Sequence, residues 1–274
     1  KKYKNKIACV IMEPVTVSSP KCMYKKKCNL NCNNFCKQNF LHEVQKICRK
    51  NKCLLIFDEV VTGFRYSLGG AQQLYGVTPD LSCFAKAISN GIPLSAVVGK
   101  KKYMKLFNNV FFSFTYGGEC IGLAAAKACI NKLKKKKVLE IIRHNGQLFK
   151  SKLNILIKKY NLEKYLNCDG HPSRTVLTIK SNKLLKSPIV TKTFIQQELL
   201  DYKILWSGYH CITYTFNKKD IALALRAYEN VFKKLKNTIE KKQNLKSKIK
   251  GKLLKQVFTR VSDFQAASLK ITDK

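Results

Sequence analysis

Acidic, basic and hydroxyl side chains that could do chemistry follow apolar segments of this sequence. In LLIFDEVVTGFR, residues 54–65, an apolar run leads directly into Asp58 and Glu59. Lys86 follows the apolar segment LSCFA, and Thr115 lies in a Thr-Tyr-Gly-Gly turn before a segment rich in small residues. A carboxylate at the end of a buried strand is unfavourable without a partner. An amine is a possible nucleophile or base, and a hydroxyl in a turn can meet an anion.

The segments around these residues predict a βαβ unit. Residues 7–12, IACVIM, and residues 53–58, CLLIFD, are typical of buried strands, and apolar residues recur at helical spacing over 40–49. A right-handed crossover places the carboxyl ends of parallel strands along one edge of the sheet, where ligands collect. We therefore expect Asp58 at that edge, and Lys86 at the end of a neighbouring strand.

The pattern changes after a run of lysines near residue 135. Beyond it come an amphipathic helix, the alternating strand RTVLTIK, a further helix, short strands at KILW and HCITYTF, and a last helix. This order predicts three parts. They are part of a large α/β domain over 1–135, a smaller α+β domain over 136–240, and a lysine-rich tail over 241–274.

The chain carries an unusually high positive charge. It has 53 Lys plus Arg against 16 Asp plus Glu, for a net charge of +37, and lysine is scattered over every segment. Proteins that recognise nucleic acids usually concentrate arginines on one element. We therefore interpret the lysines as solvated surface positions and expect no specific nucleic-acid partner. The alternative, from a non-enzymatic class, is a polyanion-binding protein.

Twelve cysteines raise the question of a disulfide framework or a metal site. Cys22, Cys28, Cys32 and Cys36 lie close together, but they form no CxxC pairs and no histidine lies among them. The others are dispersed through apolar segments, as reduced thiols would be. No apolar run is long enough to cross a bilayer. We expect a cytoplasmic protein with neither a metal nor a membrane partner, with a metal at the four cysteines as the alternative.

The order of the motifs resembles one enzyme family. EPV, LLIFDEVVTGFR, PDLSCFAKAISNGIPLSAVVG and FSFTYGGE follow one another as in class III pyridoxal-phosphate aminotransferases, most of all the glutamate-1-semialdehyde 2,1-aminomutase branch. The resemblance implies the α/β fold of type I pyridoxal-phosphate transferases, like aspartate aminotransferase, with a partial large domain and a smaller C-terminal α+β domain. It also implies pyridoxal 5'-phosphate as cofactor and a homodimer with the site at the dimer interface.

The resemblance implies roles for four residues. Asp58 would pair with the pyridine nitrogen of the cofactor, and Val60 would pack on its ring. Lys86 would hold the aldehyde as a Schiff base and carry the proton transfers of catalysis. Thr115 would bind the phosphate across the dimer interface. A pyridinium nitrogen would thus be the partner that a buried Asp58 carboxylate needs.

The activity implied is amino group transfer on a small amino or keto substrate. An aminomutase returns the amine to the same molecule, whereas a transaminase passes it to a second one. The tail GKLLKQVFTRV resembles the ending of relatives found in surface-polysaccharide pathways. With the segment HCITYTF, this resemblance favours the alternative of a keto-sugar transaminase in surface-polysaccharide synthesis. Family members carry a long segment before EPV that supplies most of the phosphate site. We therefore expect this chain to be the C-terminal portion of an enzyme and to be inactive alone.

Overall fold

The computed structural model describes residues 6–16, 19–20, 22, 39–111, 113–180 and 187–255. Cys28, Cys32, Cys36 and the tail segment QVFTRV lie outside these residues, so the predictions made for them stay predictions. Within the described ranges, no group of histidine, cysteine or acidic side chains is arranged to hold a metal ion. None of the helices in the same ranges combines the length and the apolar character that a membrane span requires.

Residues 9–99 contribute a mixed sheet of four strands, in the order β1-β2-β3-β4. The strands are β1 (Cys9–Met12), β2 (Leu54–Asp58), β3 (Leu81–Phe84) and β4 (Ala96–Gly99). The first three are parallel, with Val10 beside Leu55 and Asp58 beside Cys83. The last, β4, is antiparallel to β3. The predicted parallel pair and its crossover helix, α1 (Phe40–Lys50), are confirmed.

The helix α1 begins where the sequence supplies a cap. The Asn39 side chain accepts hydrogen bonds from the backbone N–H groups of Leu41 at 2.9 Å and His42 at 3.2 Å. These groups have no partner within the helix, so an asparagine cap stabilises the first turn. Arg49 and Lys50 lie in the last turn, where their positive charges interact favourably with the negative end of the helix dipole.

The two faces of the sheet differ in burial. Leu55 and Phe57 of β2 are fully buried in a core with residues of α1 and the loops, whereas Ile56 and Asp58 on the opposite face are only half-buried. On neighbouring β1, Ile11 beside Ile56 is 64% exposed. Since side chains alternate along a strand, Asp58 belongs to the more open face.

Six further helices and three further strands complete the described elements. The helices are α2 (Gly70–Tyr75), α3 (Lys101–Met104), α4 (Cys120–Lys135), α5 (Val138–Lys159), α6 (Pro188–Leu200) and α7 (Lys218–Glu240). The strands β5 (Leu166–His171), β6 (Arg174–Ile179) and β7 (Tyr209–Cys211) form a second sheet in that order. Short 3-10 helices span Lys86–Ile88, Lys105–Asn109 and Leu245–Lys248.

Two strand predictions need correction. KILW is not a strand, because Lys203 takes a left-handed φ of 59° that ends α6 in a turn. HCITYTF contributes only its first two residues to β7. The Ile212 carbonyl accepts a hydrogen bond from Arg65, and that of Phe216 accepts one from Asn145. Side-chain donors thus replace the partner strand along this segment.

Contacts divide the chain into two compact units, each discontinuous in sequence. One comprises Lys1–Ser151, Cys168–Val176 and Tyr209–Ile221. The other comprises Lys152–Asn167, Leu177–Gly208 and Ala222–Lys274. The predicted domain boundaries near residues 135 and 240 stay predictions.

The start of the lysine-rich tail packs against α6 within the second unit. The Gln197 side chain donates to the Lys248 carbonyl at 3.1 Å and accepts from the Lys250 N–H at 2.7 Å. Thr193 accepts from the Leu254 N–H at 3.1 Å, and Leu245 is buried. This part of the tail is therefore part of the fold.

The middle of α5 contains a glycine that we expect to be required for packing. A Cβ at Gly146 would overlap the backbone carbonyl of Pro172. Gly146→Ala should therefore lower the free energy of unfolding by about 1–3 kcal/mol, as overpacking does. Urea unfolding measures this, with the exposed α5 variant Lys152→Ala as control. At an unconstrained helix position the same change would stabilise by about 1 kcal/mol, so a gain in stability would contradict the contact.

Candidate functional site

The carboxyl ends of β2 and β3 bring Asp58 and Lys86 to one edge of the sheet. Asp58 pairs in register with Cys83 on the neighbouring parallel strand, and the Glu59 N–H donates to the Cys83 carbonyl at 2.9 Å. β3 ends at Phe84, and after Ala85 the chain turns at Lys86. Ligands of parallel α/β sheets bind at this edge. The predicted placement of both residues at strand ends is confirmed.

The Asp58 carboxylate is half-buried and partly satisfied. Its Oδ1 accepts a hydrogen bond from the Val60 N–H at 3.0 Å, which orients the group. Among the described residues, no hydrogen bond reaches Oδ2. Burial, with a smaller contribution from the Asp58 charge, raises the pKa of the neighbouring Cys83 thiol. The carboxylate thus retains one oxygen for a positively charged hydrogen-bond donor, beside a thiol that stays neutral.

Val60 and Thr115 lie in turns of different exposure. Val60 is half-buried in the turn that follows β2. Thr115 is exposed in the turn that precedes α4. No hydrogen bond among the described residues joins Thr115 to Asp58 or Lys86. The structure therefore brings Asp58, Val60 and Lys86 to one sheet edge but places Thr115 on a separate turn.

The backbone at Lys86 takes a left-handed conformation. Its φ is 51°, and Asn90 and Gly91 in the same turn have φ values of 50° and 115°. Such angles are unfavourable for residues with a Cβ and persist where the surroundings impose them. The Lys86 carbonyl accepts from the Asn90 N–H at 2.9 Å, and the Cys129 thiol on α4 donates to the Ala87 carbonyl at 3.4 Å.

The Lys86 side chain is exposed, and it has no ion-pair partner in the part of the chain that the structure describes. Ion pairs among the described residues form at Lys100, Lys159, Lys234 and Lys236, and none involves Lys86. Phe84 and Ile88 on either side of it are buried with Ala126 of α4. The amine is therefore held on a packed turn and is available to a ligand.

The turn before α4 offers less to an anion than the sequence suggested. The Glu119 carboxylate accepts from the N–H groups of Ile121 at 2.6 Å and Gly122 at 2.7 Å. These are first-turn donors of α4, and a carboxylate already occupies them. An anion bound by Thr115 would therefore use donors of the turn itself.

Sequence reasoning missed the role of Glu59. This residue is 0% exposed, and its carboxylate accepts from the Thr62 hydroxyl and from the N–H groups of Ala71 at 2.8 Å and Gln72 at 2.7 Å. Burial raises the pKa of Glu59, although the three donors act in the opposite direction. The Glu59 side chain thus caps the N-terminus of α2 from outside the helix. Gly69, which precedes this helix and has no capping side chain, was the sequence signal for a distant cap.

Arg65, from the same motif, forms a long-range clamp. Its Nη1 donates to the carbonyls of Ser173 and Ile212, each at 3.2 Å. Both carbonyls lie in the same compact unit as Arg65, although they are distant from it in sequence. The turn after β2 is thus fixed to the turn between β5 and β6 and to the residue that follows β7.

Comparison with protein families and curated sequences gives a consistent result. The model of the family described as aminotransferase class-III matches residues 1–171. The chain is 33% identical over 207 residues to a 3-aminobutyryl-CoA aminotransferase of Cloacimonas acidaminovorans, covering 74% of this chain and 49% of that protein. It is 30% identical over 249 residues to a glutamate-1-semialdehyde 2,1-aminomutase of Wigglesworthia glossinidia brevipalpis, covering 86% and 54%. The chain spans about half the length of these curated relatives.

Two solved structures that contain pyridoxal phosphate share the fold of this chain. The pyridoxal-phosphate internal aldimine form of the FumI protein of a Sphingopyxis species matches with a TM-score of 0.72 and 20% identity, covering 87% of this chain and 54% of that one. A transaminase with pyridoxal phosphate bound matches with a TM-score of 0.72 and 19% identity, covering 91% and 55%. At these identities the likeness concerns the fold. It confirms the predicted α/β architecture of a partial type I transferase domain.

Proposed function

Because this chain belongs to the class III aminotransferase family, we propose that it forms part of a pyridoxal-phosphate-dependent enzyme that transfers amino groups on small amino or keto substrates. The observation that carries the proposal is the placement of Asp58 and Lys86 at the carboxyl ends of adjacent parallel strands. The names of the curated relatives, an aminotransferase and aminomutases, support the same chemistry.

The residues at this edge fit the cofactor. The oxygen of Asp58 that the Val60 N–H leaves unused suits a protonated ring nitrogen, and the unpaired Lys86 amine suits an aldehyde. Val60, half-buried beside Asp58, offers an apolar surface for a ring. Pyridoxal phosphate, when bound, supplies an electron sink for negative charge at the substrate α carbon.

In the proposed reaction, Lys86 transfers the proton of the substrate α carbon, and Asp58 stabilises the positive charge on the ring nitrogen. The Lys86 amine would accept the proton from the substrate α carbon as a general base, and the ammonium so formed would later give that proton up as a general acid. The Asp58 carboxylate would keep the ring nitrogen protonated by a charge-assisted hydrogen bond. Val60 would pack against the ring and exclude water there.

We propose a homodimer in which Thr115 donates its hydroxyl to the cofactor phosphate in the partner's site. The exposed position of the Thr115 turn supports this role. A cytoplasmic location is also part of the proposal. No disulfide forms among the cysteines of the described residues, which accords with a reducing compartment.

The Asp58 proposal predicts a loss of rate without a loss of fold. Asp58→Asn should slow amino transfer by about 10–100-fold, because a charge-assisted hydrogen bond of about 1.5–3 kcal/mol is weakened. Single-turnover kinetics of the complete enzyme with an amino donor measures this. The exposed Asp201→Asn is the control. Equal rates in the two variants would remove Asp58 from the mechanism.

Substrate assays separate the two forms of the proposal. An aminomutase should convert glutamate 1-semialdehyde into aminolevulinate without an added amino donor. The relatives that carry the aminomutase name favour this outcome. If this incubation gives no product and a keto sugar is aminated with glutamate instead, the chain belongs to a sugar transaminase.

A further inference from the structure

A cavity of about 370 Å³ adjoins the Lys86 turn within the first compact unit. Ala87 and Asn90 of this turn line it, together with Lys132 of α4 and the segment Thr213–Thr215. Neither Asp58 nor Lys86 is among the described residues that line it. The cavity is therefore separate from the candidate active site, although one turn serves both.

The polar groups of the cavity are suited to an anion. Arg65 and Lys132 supply positive charge, Asn90 an amide, and Thr213 and Thr215 hydroxyls. No aspartate or glutamate belongs to the described lining. The hydroxyl oxygens of Thr213 and Thr215 lie 3.2 Å apart, so both can contact the same ligand group.

No ion pair of the described residues involves Arg65 or Lys132. Both hydrogen bonds of Arg65 to carbonyls use Nη1, so the guanidinium keeps its Nε and Nη2 donors. The Lys132 ammonium lies 5.3 Å from the ring centroid of Tyr214, and it takes part in none of the ion pairs of the described residues. A ring face orients a cation but leaves its charge available to an anion.

An apolar wall lies beside these donors. Val138 and Ile142 of α5 line the cavity and are buried, and Leu133 continues the wall. This wall offers a bound ligand apolar contact on one side, whereas Asn90, Lys132 and the two threonines are exposed. The volume is at the lower end of the range of about 300–1,000 Å³ for small-molecule sites, which favours a compact ligand over a polymer.

We propose that this cavity binds a small phosphate-bearing molecule. An arginine fork and hydroxyl donors match the tetrahedral oxygens of a phosphate, and the lysine adds a second charge. The apolar wall takes the carbon part of the ligand. Binding would contact the turn that carries Lys86 through Ala87 and Asn90. The site is independent of the proposed enzymatic function, since none of the residues assigned to the cofactor belongs to it.

Calorimetric titration of the 274-residue chain with inorganic phosphate tests the proposal. Phosphate replaces chloride in the buffer, so that the ionic strength stays constant. The variants are Lys132→Met and the double variant Thr213→Val with Thr215→Val, all at exposed positions. The control is Lys127→Met, an exposed lysine of α4 outside the cavity. We expect each cavity variant to weaken phosphate binding at least about tenfold, which corresponds to one charge-assisted or two neutral hydrogen bonds. The control should bind as the wild type does.

Three results would overturn the proposal. One is the absence of saturable phosphate binding by the wild type. Another is equal binding by Lys132→Met and Lys127→Met, because phosphate held by the general surface charge or by the candidate cofactor site would not distinguish these lysines. The third is tighter binding of malonate than of phosphate, which would make the site specific for carboxylates. Circular dichroism of each variant establishes that the fold is retained.

Discussion

Lys86→Ala is expected to abolish both covalent retention of pyridoxal phosphate and amino transfer. The amine lies at the sheet edge beside the Asp58 strand, on a left-handed turn held by α4, and it has no ion-pair partner among the described residues. Removal of a group that transfers protons costs about 10²–10⁴-fold in rate. The loss of the attachment point for the aldehyde adds to this.

Reduction with borohydride and mass spectrometry of the complete enzyme measure the retention directly. The wild type should carry one cofactor adduct on Lys86, and Lys86→Ala should carry none at the site. Lys101→Ala, at an exposed lysine that begins α3, controls for labelling of the many surface lysines. An adduct in Lys86→Ala equal to that in wild type would show that another lysine holds the cofactor.

Glu59→Ala is expected to produce the largest loss of stability. The variant leaves the buried Thr62 hydroxyl, the buried Ala71 N–H and the partly buried Gln72 N–H without their acceptor. Each unsatisfied donor costs about 1–3 kcal/mol, and removal of one partner of a buried charged network typically costs about 3–5 kcal/mol. Urea unfolding should show a loss in that range. A loss below about 1 kcal/mol, similar to that of the exposed control Glu163→Ala, would contradict the capping role.

The pH dependence of Glu59 supplies an independent test. Burial raises its pKa above the ordinary value of 4.5, so the folded state binds the proton more tightly than the unfolded chain. The stability that this group contributes is therefore complete below pH 4.5 and is lost as the pH rises through the folded pKa. The unfolding free energy of wild type minus that of Glu59→Gln should increase as the pH falls from neutral towards 4.5. A difference that shrinks over this range would mean that the donors lower the pKa of Glu59 instead.

The same carboxylate connects stability to the site. Gly70, the first residue of α2, has a φ of 79°, and a Cβ there would overlap the Glu59 carboxylate. The Glu59 N–H is bonded to the Cys83 carbonyl, so this residue also links β2 and β3. The cap of α2 thus holds the strand end on which Asp58 lies.

Local patterns in the sequence were enough to place Asp58 and Lys86. An apolar run that ends in a charged residue indicates a buried strand and its exit, and helical spacing before it indicates the crossover. The parallel pairing of β1 with β2 follows, because such a crossover returns the chain in the same direction. The resemblance to class III aminotransferases then assigned chemistry to these positions. The roles of Val60 and Thr115 stay predictions.

Contacts between distant segments were decided only by the tertiary structure. Asp58 and Glu59 are adjacent acids in sequence, but Asp58 ends β2 on its open face and Glu59, just after the strand, is buried. Only the packing of α2 shows which donors Glu59 meets. Likewise, Arg65 donates hydrogen bonds to the carbonyls of Ser173 and Ile212, and Gln197 accepts one from the start of the tail. Periodicity records which residues are buried, whereas the partner of a buried polar group depends on how the elements assemble.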